Sequence, residues 1–265
     1  MRRITADNAK ATIVCIHGAA EHCGRYMWLA EMWRSSGYNV IMGDLPGQGL
    51  TTRRRGHISS FDEYINEAGL WIAEAEKSGL PVFLLGHSMG GLVVIRSLQE
   101  HHHAVSGAIL SSPCLGLKYK PGKALNVLSL GLNKIAPDML FESKLSIDMA
   151  TRNREVQDED ENDSLFVTKV SVRWYRELLG AVSLAFEKIN ALPDVPLLIM
   201  QAGEDKIVDR EAVKGWFNLL NSSDKSYREW NGLYHELFSE PERDKVFKAA
   251  LHFAEGKLTE KEGEI

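Results

Sequence analysis

The stretch PVFLLGHSMGGLVVIRSLQEH, residues 81–101, decides how this chain is read. Its first part, PVFLLGH over 81–87, is a short, nearly continuous apolar run of the kind that forms a strand covered on both faces of a sheet. Its second part, MGGLVVIRSLQEH over 89–101, repeats apolar residues every three or four positions and reads as a helix. At the junction stands Gly86-His87-Ser88-Met89-Gly90, a G-x-S-x-G sequence. A turn that tight holds its central residue in a strained conformation, and glycines on either side remove the Cβ atoms that would clash. Ser88 is then presented above the sheet beside a helix N-terminus, whose free N–H groups favour negative charge. The competing reading is an idle serine in a glycine-rich turn, and the strand before it and helix after it count against that.

Working outward, further strand-like runs are ATIVCIHG at 11–18, YNVIMGD at 38–44, AVSGAILSS at 104–112, VPLLIMQAG at 195–203 and, less cleanly, KSYREW at 225–230. Helical periodicity falls between them, at 25–36, 60–78, 210–220 and 241–256. This alternation predicts an α/β fold with a mostly parallel sheet of about six strands flanked by helices. The interval from Cys114 to Asp194 breaks the rhythm, since GKALNVLSLGLNKIAP, QDEDEND and VRWYRELLGAVSLAF are helix-like with no strand between them. At roughly 80 residues it is too long for an ordinary connection. It is expected to be a helical cap, or lid, over residues 114–194, set into a core of residues 1–113 and 195–265. The charged tail EGKLTEKEGEI is expected to fray.

A serine hydroxyl is a weak nucleophile at neutral pH and needs a base within hydrogen-bond reach, with a third group to orient that base. In a fold with this junction the chain order is serine, acid, histidine. Asp205, in the loop GEDKIVD after the strand VPLLIMQAG, fits the acid, and His235, in NGLYHELF after the last strand, fits the base. Both fall at the C-terminal ends of strands, where open α/β sheets bind ligands. Glu204 and Asp209 compete with Asp205, but Asp209 precedes REAVKGWF and reads as a helix N-cap. Of the nine histidines, His101, His102 and His103 end a helix, His252 lies in the final helix and His57 follows a run of arginines. The oxyanion needs backbone donors, expected from Met89 after the serine and from Ala19 in the loop His17-Gly18-Ala19-Ala20. His17 reads as the residue that orients this loop, with a role as base the minor alternative.

Composition bounds the function. The chain has 265 residues, 44% hydrophobic, enough for one large domain or a core with a subdomain. Its 36 acidic against 31 basic residues give a net charge of −5, with no global pull toward nucleic acid or anionic membrane. Cys15, Cys23 and Cys114 form neither a disulfide framework nor a zinc site and suit a reducing compartment. The N-terminal MRRITADNAK lacks an apolar region behind its arginines, and no run approaches the ~18 apolar residues of a spanning helix. A cytoplasmic protein without a transmembrane segment is expected. Arg53, Arg54 and Arg55 are a basic cluster that could meet a phosphate headgroup, though short charge runs are usually solvated. The acidic stretch from Asp158 to Asp163 lacks the glycine and spacing of a calcium loop and is expected to be solvated, so no metal is expected.

HGAAEHCGRY at 17–26, DLPGQG at 44–49, GHSMGG at 86–91, AGEDKIVD at 202–209 and YHELF at 234–238 together resemble the monoglyceride lipase and lysophospholipase group of α/β-hydrolases. The resemblance implies an α/β-hydrolase fold with a helical cap. It also implies a serine hydrolase of monoacylglycerols, lysophospholipids or related glycerol and short-chain esters, working through an acyl-enzyme without a cofactor. Ser88, Asp205 and His235 would be its triad, Ala19 and Met89 its oxyanion donors, and Glu21 and Arg25 its contacts to glycerol. Ala20 stands where that loop often has glycine, Gln48 replaces the histidine of a G-H-G turn, and Leu50 and Thr51 stand where a serine commonly follows. The implied partner is a small acyl ester or lipid, with transient membrane-surface contact through the cap and no nucleic acid. An aminopeptidase-like hydrolase and a non-catalytic ligand-binding protein of the same fold are the alternatives.

Overall fold

The computed structural model describes residues 1–51, 53–119, 122–143 and 146–263, with side chains throughout except at 123–125 and 261–263. In chain order the core begins with β1 (Arg2–Ile4), β2 (Ala11–Ile16), α1 (Met27–Ser35), β3 (Tyr38–Met42) and α2 (Asp62–Glu76). It continues through β4 (Val82–His87), α3 (Met89–Glu100) and β5 (Gly107–Ser111). After an insertion it resumes with β8 (Leu197–Ala202), α8 (Arg210–Leu219), β9 (Lys225–Trp230) and α9 (Arg243–Gly263). The strands form one sheet in the order β1-β3-β2-β4-β5-β8-β9, parallel except for β1. The seventh strand is β1, three residues long and antiparallel on β3 with Arg2 opposite Met42. It carries no alternation by which the sequence could announce it.

Strands β2, β4 and β5 are buried along their whole length, which is why they read as unbroken apolar runs. Their side chains alternate between two cores. Val14, Ile16, Leu84 and Leu110 face α2 and α3, whereas Ile13, Cys15, Phe83, Leu85 and Ile109 face α1 and α9. The chain runs from β2 to β3 on one side and returns to β4 on the other, so the crevice at the carboxyl end of β2 and β4 is a switch point where such folds hold ligands.

Between β5 and β8 the chain builds α4 (Lys123–Ile135), β6 (Leu140–Glu142), α5 (Ile147–Ala150), α6 (Arg154–Glu161), β7 (Lys169–Ser171) and α7 (Val172–Glu187). This corrects the expectation of an insertion without strands: β6 and β7 pair antiparallel, Phe141 opposite Val170. Three residues per strand are too few to leave a periodic signature. Part of the apolar run expected in α4, Ala124 and Leu125, lies outside the described side chains. The tail also departs from expectation. Val246, Phe247, Ala250 and Ala254 of α9 are buried and Lys257 pairs with Asp224, which carries helix through Gly263; residues 264–265 lie outside the described ones. No helix among the described residues is long and apolar enough to cross a membrane.

Candidate active site

Ser88 joins β4 to α3 with φ 52° and ψ −117°, a region that costs on the order of 1–3 kcal/mol and persists only where the surroundings fix it. They do so by close backbone packing. A Cβ on Gly90 would stand 2.1 Å from the Ile16 carbonyl oxygen, and one on Gly86 2.5 Å from that of Gly90. Ser88 N–H donates to the Ser111 carbonyl at 2.9 Å, and its own carbonyl accepts from Cys114 N–H at 2.9 Å.

The loop after β2 lies against this turn. A Cβ on Gly18 would be 3.3 Å from Ser88 Cβ and 3.1 Å from His87 Cδ2. His17 shapes the loop: its Nε2 accepts from Leu45 N–H at 2.9 Å, so Nδ1–H is left to donate to the Gly18 carbonyl at 2.8 Å. Burial pushes its pKa down, and with both nitrogens engaged His17 orients the loop instead of acting as a base. Ala20 adopts φ 68°, and its N–H donates to Gln48 Oε1 at 2.5 Å. Ala19 N–H meets no acceptor among the described residues, and Met89 N–H, first in α3, has no carbonyl four residues back within the helix.

Asp205 is held by the turn after β8. Its Oδ1 accepts from Ile207 N–H at 2.9 Å and Val208 N–H at 2.8 Å, and its Oδ2 from Gln201 Nε2 at 3.0 Å and His235 Nδ1 at 2.9 Å. Lys118, at the start of the insertion, donates to the Asp205 carbonyl at 2.7 Å. Burial raises the carboxyl, but His235 and the two N–H groups outweigh it and hold Asp205 below the usual carboxylate range. Glu204 beside it is exposed, and Asp209 caps α8 by accepting from Glu211 N–H at 3.2 Å.

His235 is buried, and its ring centroid lies 4.8 Å from that of His87, the neighbour of Ser88. With Nδ1–H donated to Asp205, Nε2 is the basic nitrogen. Burial pushes the imidazole down, yet Asp205, with Glu236 and Glu21 behind it, raises it above the ordinary value. Burial and the neighbouring His235 push His87 down to about 4, so it is neutral. Two adjacent imidazoles thus differ in basicity because only one has a carboxylate partner.

Glu21 and Arg25 both have protein partners. Glu21 Oε1 accepts from Gly18 N–H at 2.5 Å and Tyr26 OH at 2.7 Å, and its Oε2 takes Arg25 Nη1 at 2.5 Å. The Arg25 guanidinium, 8% exposed, also donates to Asp160 at 2.5 and 2.9 Å and to Glu236 at 2.8 and 3.0 Å, and stacks on Phe166. Burial drives Asp160 up to about 6 against the pull of Arg25, whereas for Glu236 Arg25 outweighs burial and holds the carboxyl down at about 2. A cavity of about 200 Å³ adjoins this cluster, lined in part by His87, Trp28 and Phe238.

The acidic stretch is therefore not simply solvated: Asp160 holds Arg25, and Asp163 accepts from His22 Nε2 at 2.6 Å. The arginine cluster is likewise engaged within the protein. Arg53 pairs with Glu63, Arg54 with Asp138 at 2.6 Å, and Arg55 donates to the carbonyls of Gly49 and Leu165. Among the described residues no group of three or more His, Cys, Asp or Glu side chains is arranged to hold a metal. Sequence reasoning missed Gln201, Glu236 and Glu240. Gln201, a polar residue in a wholly buried strand, was the detectable exception.

Comparison with known proteins agrees with this architecture. A family model described as serine aminopeptidase, S33 matches residues 7–242. Over 251 residues the chain is 61% identical to phospholipase YtpA of Bacillus subtilis, covering 94% of this chain and 97% of that protein. It is 33% identical to the rat monoglyceride lipase over 92% of this chain and 80% of that one. Among solved structures, the monoacylglycerol lipase of Paleococcus ferrophilus superposes with a TM-score of 0.86 at 27% identity, covering 97% of this chain and 98% of that chain. With a model matched over most of its length and a relative similar nearly end to end, the chain belongs to the serine aminopeptidase S33 family of α/β-hydrolases.

Proposed function

We propose that this chain is a serine ester hydrolase acting on monoacylglycerols, lysophospholipids or related glycerol and short-chain esters. The observation that carries the reading is the 2.9 Å bond from His235 to a fully engaged, buried Asp205, with the His235 ring 4.8 Å from that of His87, the residue before Ser88 in its strained turn. His235 Nε2 takes the Ser88 proton as Oγ attacks the ester carbonyl, and the N–H groups of Ala19 and Met89 receive the oxyanion. The alcohol leaves with the proton returned by His235, and water repeats the sequence on the acyl-enzyme. Because His235 must be neutral to accept a proton and its pKa is raised, the acid limb of kcat/KM falls above about pH 6.5.

Residues 114–194 act in this reading as the cap. It exposes Val127 and Leu128 on α4, Ile135 at its end, and Met139, Leu140 and Phe141 after it. Exposed apolar side chains concentrated in one short stretch of chain suit transient contact with a lipid surface from which substrate is drawn. A peptidase of this family would need an acidic anchor for a free amine, and Glu21 is committed to Gly18, Tyr26 and Arg25.

The test is turnover of p-nitrophenyl esters and monoacylglycerols by Ser88→Ala, with fluorophosphonate labelling of the parent chain. Loss of on the order of 10⁴-fold or more in kcat is expected, with the fold intact. Undiminished turnover by Ser88→Ala sinks the proposal, and preferential cleavage of aminoacyl-naphthylamides moves it to the peptidase class.

A further inference from the structure

The loop that carries His235 has a second set of carboxylates, apart from Asp205. Glu240, five residues on, is completely buried. Its Oε1 accepts from Thr151 Oγ1 at 2.7 Å and Arg152 N–H at 2.6 Å, and its Oε2 from Arg152 Nε at 2.6 Å and Tyr234 N–H at 3.1 Å. One carboxylate thus binds the backbone beside His235 and the backbone of the insertion at once. Glu236, directly after His235, does the same by another route. Its N–H donates to the Ala150 carbonyl at 2.8 Å, and its carboxylate takes Arg25, which also holds Asp160 of α6 and Glu21 of the loop after β2.

These bonds close a ring. From Gly18 the path runs through Glu21 and Arg25 to Glu236, and from Arg25 through Asp160 along the insertion to Thr151, Arg152 and Glu240. His235 stands between two of its points of attachment, Tyr234 N–H bonded to Glu240 and Glu236 bonded to Arg25 and Ala150. Apart from Arg152, which is a third exposed, the side chains of the ring are nearly dry. In such surroundings a charge acts over several ångströms with little screening, and a bond lost leaves its partner unpaired.

We propose that Glu236 and Glu240 are positioning residues for His235: Glu240 fixes the path of its backbone, Glu236 sets the charge it feels, and residues 150–160 are a fixed wall of the site. The inference rests on the reading of Ser88 and His235 given above. The charged and titratable groups facing His235 are Asp205 from the turn after β8, His87 from β4, Glu21 from the loop after β2, and Glu236 with its partner Arg25. Removing the Glu236 charge leaves Arg25 less compensated. Both changes disfavour the imidazolium, so the proton is lost at lower pH.

The experiment compares Glu236→Gln, Glu240→Gln and the surface control Glu211→Gln with the parent, by pH profiles of kcat/KM on a p-nitrophenyl ester and by rates of fluorophosphonate labelling. Glu236→Gln is expected to move the acid limb to lower pH, an effect that a purely structural role does not produce. Glu240→Gln is expected to slow labelling and kcat about tenfold or more, through displacement of the imidazole, with the acid limb in place. Should Glu240→Gln not fold, Arg152→Met decides instead, since it removes a partly exposed partner and leaves the bonds from Thr151, the Arg152 backbone and Tyr234. Severalfold slower labelling by Arg152→Met supports the inference. A labelled parent whose folded Glu236→Gln and Glu240→Gln (or Arg152→Met) forms match it in pH profile and labelling rate overturns the inference alone. A parent chain that fluorophosphonate does not label overturns the reading beneath it.

Discussion

Two stretches of the same insertion meet opposite surroundings. Residues 147–163 are tied into the core by Ala150, Thr151, Arg152, Asp160 and Asp163, each hydrogen-bonded to a residue of the core. Residues 126–141 turn apolar side chains outward, with Ile135 81% and Val127 67% exposed. Buried charge with a full set of partners makes a rigid element, because any movement leaves a carboxylate or guanidinium without its partner in a dry site. Exposed apolar surface makes no such demand, and it gains by meeting another apolar phase. A lid that moves is therefore expected to move at α4, with α5 and α6 held to the core and β7 fixed as well by the bond from Ser171 N–H to the Gly56 carbonyl at 2.8 Å.

The largest effect that separates the two stretches is on stability. Arg25→Met leaves Glu21, Asp160 and Glu236 facing one another without a cation, and loss of one partner from a buried ion cluster costs about 3–5 kcal/mol. Urea denaturation measures it. If Arg25→Met unfolds with the midpoint of the parent chain, the inner stretch is not fixed by charge and the contrast fails.

A smaller effect, and of another kind, is expected at the outer stretch. Replacing Val127, Leu128 and Ile135 together by serine changes folding stability by about 0.5 kcal/mol or less per site, since these side chains are solvated already. Partition onto phosphatidylglycerol or phosphatidylcholine vesicles is expected to fall about tenfold or more, given the 1.5–3 kcal/mol that a fully buried aliphatic side chain contributes. Sedimentation with vesicles reads this directly. Unchanged partition would remove the lipid surface as the partner of this stretch.

How much of this was legible in the sequence depends on how far apart the interacting residues lie. The strand, turn and helix around Ser88 are contiguous, and their periods and glycines declare them. Asp205 and His235 could be placed because each follows its own strand, although 30 residues separate them and no local pattern states their 2.9 Å bond. Glu240 finds Arg152 across 88 residues and Arg25 finds Glu236 across 211. Such pairs leave no periodicity, and a carboxylate in SEPERD reads as solvated until its partner is known. The acidic stretch at 158–163 misled for the same reason, since only the fold brings Arg25 and His22 to it. The strands β1, β6 and β7 were hidden by brevity.

The smallest effect concerns a departure that the sequence did display. Ala20 occupies φ 68°, where a side chain costs about 1–2 kcal/mol relative to the right-handed region. It is retained there by the bond from its N–H to Gln48 and by its carbonyl, which accepts from Val167 N–H at 2.9 Å. Glycine removes the steric cost but gives up about 0.4–1 kcal/mol of chain entropy to the unfolded state. Ala20→Gly is therefore expected to stabilise by about 1 kcal/mol or less, a rise in melting temperature of about 2 °C measured by calorimetry. A fall instead would mean that the Ala20 methyl, packed against the core under the insertion, contributes more than its backbone strain costs. The loop beside Ser88 would then be braced by packing as well as by Gln48, and the rigid part of the site would extend from residues 147–163 into the loop that carries Ala19.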